Sequence, residues 1–328
     1  MKKFALVFST SYDHHADRIA LHPSGNVVFV RLNLDVPADW SLSFRNGEVL
    51  VNYAGGVIGG EEIESVFVRR IPNQDSFRNA IPDVVAEYAE FITQQQFYLF
   101  SDCLAVLDST TRFVNPLASS SRLGKAVQAR LAAEVGLVCP MTYMGTSPDT
   151  ARQFFDAVAA AGRDACTKPI VNSKVTIDGE AHTQFTTRIT TEMLASLDTL
   201  SYCPTILQEY IPKAYEVRAT VVGSEIFAAR IDSQLAGGGT ATDWRRYNIP
   251  KTPHQSIKLP SHIENQLLEL QSRLGLFYSA FDLVCTPDGE FVFLETNPYG
   301  QWLWIEDLTG LPISKAISGL LTGAANRC

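Results

Sequence analysis

Short apolar runs of strand length open the chain: "FALVFS", "VVFVRLN" and "SVFVRR". Between 74 and 100, "QDSFRNAIPDVVAEYAEFITQQQFYLF" carries its apolar residues at helical spacing. "AVLD" then reads as another short strand. Together these predict one small α/β unit. "STTRFVNPLASSS" follows, rich in Ser, Thr, Asn and Pro, and is the expected linker out of it.

The next stretch predicts two helices. "SSSRLGKAVQARLAAEVGL" has Ser119 to Ser121 as candidate caps and Gly136 as a stop. "ARQFFDAVAAAGR" ends near Gly162. "ACTKPIV" is a short strand that contains a lysine, and "VTIDGEAHTQFTT" alternates about Asp178-Gly179, a strong hairpin signal. From 206 onward the pattern turns mostly antiparallel. "TILQEYI", "YEVRATVVG" and "EIFAARIDS" are strands, the last two joined through Gly223-Ser224. "HIENQLLELQSRLGL" is an amphipathic helix, "YSAFDLVC" and "EFVFLETN" are strands joined by "TPDG", and "PISKAISGLLTG" is a final helix.

Composition changes this picture little. The chain has 328 residues, 46% hydrophobic and 19% charged, which suits a globular enzyme with more than one domain. A net charge of −8 with no basic run argues against nucleic acid as the main partner. Cysteines at 103, 139, 166, 203, 285 and 328 show neither C-x-x-C nor zinc spacing, so reduced thiols are expected. The apolar run in "MKKFALVFSTS" is too short for a signal peptide, and no segment has bilayer-spanning length. A soluble, cytoplasmic protein without a membrane partner is expected.

The chemistry concentrates in "FVFLETNPYGQWLWIE". Residues two apart on a strand share a face, so Glu295 and Asn297 point together. The preceding strand carries Asp282, and a hairpin about Pro287 to Gly289 sets residue 282 opposite 294 or 295. A one-residue slip would reverse the faces. In the register that joins them, two carboxylates and an amide oxygen cluster, and a hard cation such as Mg²⁺ would relieve the repulsion. The plainer reading is a solvated hairpin whose acids bind nothing, and the residues alone leave both open.

A polyphosphate on such an ion needs positive charge. Lys168 lies mid-strand, where an unpaired lysine is costly; Lys125 on a helix is a second candidate, against which the solvated reading weighs more, because lysines on helix surfaces are common. "ILQEYIPKAYEVRATVVG" offers a Pro-containing connector. Its backbone could meet an adenine edge, and Glu216 could accept from ribose hydroxyls; alone it could be an ordinary crossover.

The ordered set Lys125, Lys168, "QEYI" (Glu209, Tyr210, Ile211), "YEVR", Asp282 and "ETN" resembles the ATP-grasp superfamily over about 119 to 328. The N-terminal "VVFVRLNLDVP" and "FVRRIPN", with "EVRATVVGSEIFAARIDSQ", "ATDWRRYN" and "LETNPYGQWLWIEDLTGLPIS", resemble the graspetide maturases of the microviridin ligase type across nearly the whole chain. The resemblance implies an α+β fold with an α/β N-terminal part: a pre-ATP-grasp domain (1–118), a central lobe (119–205) and a C-terminal lobe (206–328). It implies ATP and Mg²⁺ as cofactors, with Asp282, Glu295 and Asn297 as metal ligands and Lys125, Lys168, Glu209, Tyr210, Ile211 and Glu216 around the nucleotide. "PIVNSKVTIDGEAHTQF" departs from many ATP-grasp relatives in lacking a glycine-rich phosphate loop.

The implied reaction phosphorylates an Asp or Glu side chain of a ribosomal precursor peptide; a Ser, Thr or Lys of the same peptide then displaces phosphate, closing an ω-ester or ω-amide ring. Arg218 and Arg230 lie on strands paired through Gly223-Ser224, so both are expected to reach the transferring phosphate; strand-surface pairing with Glu216 or Asp232 is the bland alternative. Asp243 and Arg245 of "TDWRR" are assigned by resemblance to the reacting groups of the core peptide, against a local turn ion pair. By analogy with the family, the hairpin near 171 to 189 and an adjoining helix of the central lobe are the candidate leader contact, and relatives suggest a homodimer. Trp302 and Trp304 are expected to pack beneath the loop, Arg69 and Arg70 to pair with neighbouring acids, and His14 and His15 to be exposed loop residues, with a metal role as the alternative. Two other functions compete: a RimK-like ligase that adds a free amino acid, and a nucleotide-binding scaffold without turnover.

Overall fold

The computed structural model describes residues 2–22, 25–70, 74–78, 81, 83–171, 174–234 and 252–323. The N-terminal strands form a parallel sheet in the order Val27–Asn33, Lys3–Ser9, Ile63–Val68, Arg112–Val114. Both faces are buried, so alternate residues of the first strand enter different cores. Phe4, Leu6 and Phe8 meet Phe100, Cys103, Leu104 and Leu107. Ala5 and Val7 meet Ile313, Ile317 and Trp302 from the far end of the chain.

Several N-terminal expectations need correcting. "AVLD" belongs to the helix Ala89–Thr110, where Phe100, Cys103, Leu104 and Leu107 are buried at three-to-four spacing. Four apolar-rich residues carry too little periodicity to tell strand from helix. The pattern over 74 to 100 is divided into a helix Gln74–Arg78, a 3-10 turn Asp83–Tyr88 and the start of the long helix, with Pro82 in the sequence between the first two. An antiparallel meander, Trp40–Arg45, Glu48–Tyr53 and Gly56–Gly59, adds a second, unexpected sheet. Its signal was Asn46-Gly47, both at positive φ in a two-residue turn.

The expected linker is a clasp. It contains the strand Arg112–Val114, and Asn115 uses its whole side chain on the C-terminal lobe. Asn115 Oδ1 accepts from the Phe277 and Tyr278 N–H groups at 2.8 Å, and Nδ2 donates to the Tyr278 and Pro298 carbonyls at 2.8 and 3.2 Å. The next helix starts at Lys125, capped by Gly124 without a side-chain bond. Ser119, expected as its cap, donates instead to the Gly275 carbonyl at 2.6 Å.

The central sheet runs Thr187–Arg188, Ala165–Lys168, Thr205–Glu209, Thr142–Gly145, all antiparallel. Strand Thr205–Glu209 pairs within this sheet and straddles the expected division at 205/206. The hairpin Lys174–Ile177 and Glu180–Thr183 turns at Asp178-Gly179, both at positive φ. A larger antiparallel sheet follows, in the order His254–Ile257, Glu225–Ile231, Tyr215–Val222, Tyr278–Cys285, Phe291–Asn297. One face packs on the helix Ser261–Leu274 through Val217, Ala219, Phe281, Leu283 and Phe293. Part of the other joins the N-terminal core through Val222, Ala229 and Tyr278.

Candidate functional site

Between the central and C-terminal sheets lies a cleft of about 440 Å³, within the range of ligand pockets. Residues 210–214 carry the chain from one sheet to the other along its wall. Lys125, Lys168, Glu209, Tyr210, Ile211 and Glu216 line it, and so do Asp282, Glu295 and Asn297.

The carboxylate cluster depends on a β-bulge. Asp282 pairs with Glu295 and Ala280 with Asn297, but Leu283 pairs with Phe293, so Leu294 is the extra residue. Leu283 and Phe293 face the apolar core with Phe281. Strict alternation would send Glu295 and Asn297 into that core after Phe293. The bulge changes the parity and turns both to the cleft, on the face of Asp282.

Each carboxylate meets a cation. Arg218 Nη1 donates to Asp282 Oδ1 at 2.7 Å from the neighbouring strand, and Lys125 Nζ lies 3.2 Å from Glu295 Oε2. The Arg218 guanidinium, which burial alone would push toward neutrality, is held above its usual range by the Asp282 charge and hydrogen bond. Lys125 owes its reach to its place at the first position of its helix. On that helix Gln128, missed in the sequence, is buried and clamps Thr296. Its Oε1 accepts from the Thr296 N–H and its Nε2 donates to the Thr296 carbonyl, both at 3.0 Å. The residue between Glu295 and Asn297 is thereby immobilised.

At the other end, Glu209 is pinned. Arg163 Nη1 donates to one carboxylate oxygen at 2.5 Å and the Met141 N–H to the other at 3.2 Å. The Arg188 guanidinium sits 3.9 Å over the Tyr210 ring. These side chains brace the connector, so its backbone is what it offers a ligand. Among the described residues the Ile211 N–H has no acceptor, which suits a donor to a purine edge. Glu216 is buried, and burial pushes its carboxyl up, against the opposing pull of Lys213 at 2.5 Å and the Ser233 hydroxyl at 2.8 Å.

Arg230 does not join this group. It pairs in register with Val217, a core residue, so it projects from the sheet face opposite Arg218. There it bonds Asp232 at 2.7 Å and lies 4.1 Å from the Tyr215 ring centre. The expectation that both arginines reach one phosphate fails, because opposed residues on paired strands share a face and Arg218 opposes Ala229. Asp243 and Arg245 lie outside the described residues.

Trp302 packs beneath the loop as expected, fully buried. Trp304 is partly buried and edge-on to His254. His15 is not an exposed loop residue: it lies in the first turn of the helix His14–Ala20, is buried, and bonds Asp13 at 2.7 Å. Arg69 and Arg70 both pair with Asp13, at 3.6 and 3.2 Å, as expected of strand-end arginines.

The donor set fits a hard divalent ion. Among the described residues no group of three or more His, Cys, Asp or Glu gathers. Two carboxylates and an amide oxygen facing a polyphosphate-sized cleft are what Mg²⁺ takes when phosphates complete its shell. Among the described residues, no helix is long and apolar enough to cross a membrane.

No family model matches the chain, and no curated protein matches it either. Solved structures do. A RiPP-associated ATP-grasp ligase of Chryseobacterium gregarium, in complex with ADP and a leader and core peptide, is 27% identical with a TM-score of 0.85, over 99% of this chain and 98% of its own. The macrocyclase MdnC of Microcystis aeruginosa, bound to its precursor peptide MdnA, is 29% identical at 0.83, over 98% and 100%. The macrocyclase MdnB of the same organism is 30% identical at 0.75, over 97% and 99%.

Proposed function

This chain belongs to the graspetide-type ATP-grasp peptide maturases, and from that premise we propose that it closes side-chain rings in a ribosomally made precursor peptide. It is an ATP-dependent ligase. ATP phosphorylates an Asp or Glu side chain of the precursor, releasing ADP. A Ser or Thr hydroxyl, or a Lys amine, then attacks the acyl phosphate; phosphate leaves and an ω-ester or ω-amide bond remains.

The observation that carries this reading is the Asp282–Glu295 pairing, which the bulge at Leu294 turns toward the cleft holding Lys125 and Lys168. Asp282, Glu295 and Asn297 hold Mg²⁺, which when bound neutralises phosphate charge. Lys125 and Lys168 take phosphate oxygens, and the Glu209–Ile211 backbone takes the adenine edge. Glu216 serves the ribose with the carboxylate oxygen turned from Lys213. Arg218, already against Asp282, adds fixed positive charge where the phosphoryl group transfers. Asp243 and Arg245 keep their role on the core peptide by family resemblance.

The leader is assigned to the hairpin near 171 to 189, whose Val175 and Ile177 side chains are exposed. A homodimer and a cytoplasmic location complete the proposal, since both ATP and a fresh ribosomal product are found there. Incubation with Mg-ATP and the precursor encoded beside the gene tests the function: peptide mass should fall by one water per bond. ADP release that needs a free amino acid and no peptide would instead indicate a RimK-like ligase, and nucleotide binding without ADP release a scaffold.

A further inference from the structure

The loop that follows Asn297 is held along its backbone by buried side chains. Asn115 donates to the Pro298 carbonyl at 3.2 Å, Arg69 Nη1 to Tyr299 at 2.8 Å, the Tyr278 hydroxyl to Gly300 at 2.6 Å, and Arg218 Nη2 to Gln301 at 3.3 Å. The Trp302 N–H donates to His15 Nε2 at 3.3 Å. Asn297 itself takes part: its Oδ1 accepts from the Tyr299 N–H at 2.9 Å. The proposed metal ligand and the carbonyl that Arg69 holds thus belong to one short turn.

Asn115, Arg69 and His15 come from the N-terminal unit, from segments just beyond the carboxyl ends of its parallel strands. In the order 27–33, 3–9, 63–68, 112–114, the chain moves to one side of the first strand and then to the other. The crevice beyond such a switch point is where open α/β sheets bind ligands. Here it receives the protein's own loop, with fully buried Trp302 edge-on to His15 at 4.9 Å. Arg69 is also fully buried, and its charge is answered by Asp13 at 3.6 Å. Buried ion pairs rarely stabilise better than apolar side chains of the same size. What this pair supplies is geometry: it fixes where the Tyr299 carbonyl sits.

We propose that Arg69, held by Asp13, is a positioning residue for the metal-binding strand end, so that the N-terminal unit sets the magnesium-dependent part of nucleotide affinity. This rests on Asp282, Glu295 and Asn297 being the metal ligands. Arg69 does not line the cleft; it acts through Tyr299 and the Asn297 side chain.

The test is calorimetric titration of the full chain with ADP, in Mg²⁺ and in EDTA, for wild type, Arg69→Met, Arg69→Lys and Tyr278→Phe. Tyr278→Phe removes one hydroxyl donor from the same loop and leaves the ring, so it decides the matter if Arg69→Met fails to fold. Arg69→Met and Tyr278→Phe should each lose roughly tenfold in Mg²⁺-dependent affinity, the scale of one buried hydrogen bond. Affinity in EDTA should stay within about twofold, well under that scale. Arg69→Lys should recover part of the loss. A folded variant with the wild-type Mg²⁺ gain, or an equal loss with and without Mg²⁺, overturns the positioning role. Absence of any Mg²⁺ gain in wild type overturns the ligand assignment instead, and this proposal with it.

Discussion

Replacing Arg218 by Met should separate what its ion pair does for the fold from what it does for the reaction. The Arg218 side chain is 7% exposed and that of Asp282 is 20% exposed, with 2.7 Å between the bonded atoms. Removing one partner of a fully buried pair costs about 3–5 kcal/mol, because the other charge stays desolvated. The residual exposure of Asp282 lowers the expectation to about 2–3 kcal/mol, a fall in melting temperature on the order of 5 °C for a chain of this size. ADP release should fall by about 10²–10³-fold, the scale of one preorganised charge at a transferring group. The double variant Arg218→Met, Asp282→Leu replaces both charges with apolar groups and should return to within about 1 kcal/mol of wild-type stability. Its ADP release should stay at or below that of Arg218→Met. Thermal melts and a coupled ADP assay read the two effects. If Arg218→Met melts with the wild type, the pair is not desolvated as described. If the double variant turns over normally, neither side chain belongs to phosphoryl transfer.

Glu295→Gln and Lys168→Ala should each abolish ADP formation while the melting curve stays cooperative; normal turnover in either removes that residue from the site. Gly300→Ala should weaken Mg²⁺-dependent nucleotide binding, because an added Cβ would lie 2.5 Å from Ala280 Cβ and 2.7 Å from Arg218 Nη2, and the loop must lift off the sheet. Wild-type affinity in that variant would show that loop height does not matter. Burial lowers the His15 pKa from its ordinary 6.5, so below that pH the unfolded chain binds the extra proton and stability falls as pH drops, by up to about 1.4 kcal/mol per unit. Asp13 adds to the fall only once the pH nears the ordinary carboxylate range: burial alone would raise its carboxyl, but the His15 hydrogen bond and the Arg69 charge hold it far below that range. His15→Gln should flatten the dependence between pH 7.5 and the folded-state pKa, measured by urea unfolding; an unchanged slope would mean His15 titrates as it does in the unfolded chain.

Much of the site was legible because its signals are local. Side-chain alternation put Glu295 with Asn297, and the "TPDG" turn set Asp282 opposite 294 or 295, one residue short of deciding the pair that the bulge then made. The hairpins at Asp178-Gly179 and Gly223-Ser224 follow from turn residues alone. "AVLD" failed for the converse reason: its helical neighbours extend beyond the window that suggested a strand.

What the chain determined by itself was therefore the inventory: which strands and hairpins form, and which acids and lysines lie on them. Only the tertiary structure decided how they face. The bulge at Leu294 exists because strand pairing must satisfy both an apolar core and a polar cleft, a condition no single strand expresses. Arg230 lost its place by the same rule, since a face is settled by the partner strand. Gln128, Asn115, Arg69 and His15 reach the 296–302 segment across more than 150 residues of sequence. Their hydrogen bonds depend on two lobes docking over one shared core, and local pattern carries no trace of that docking.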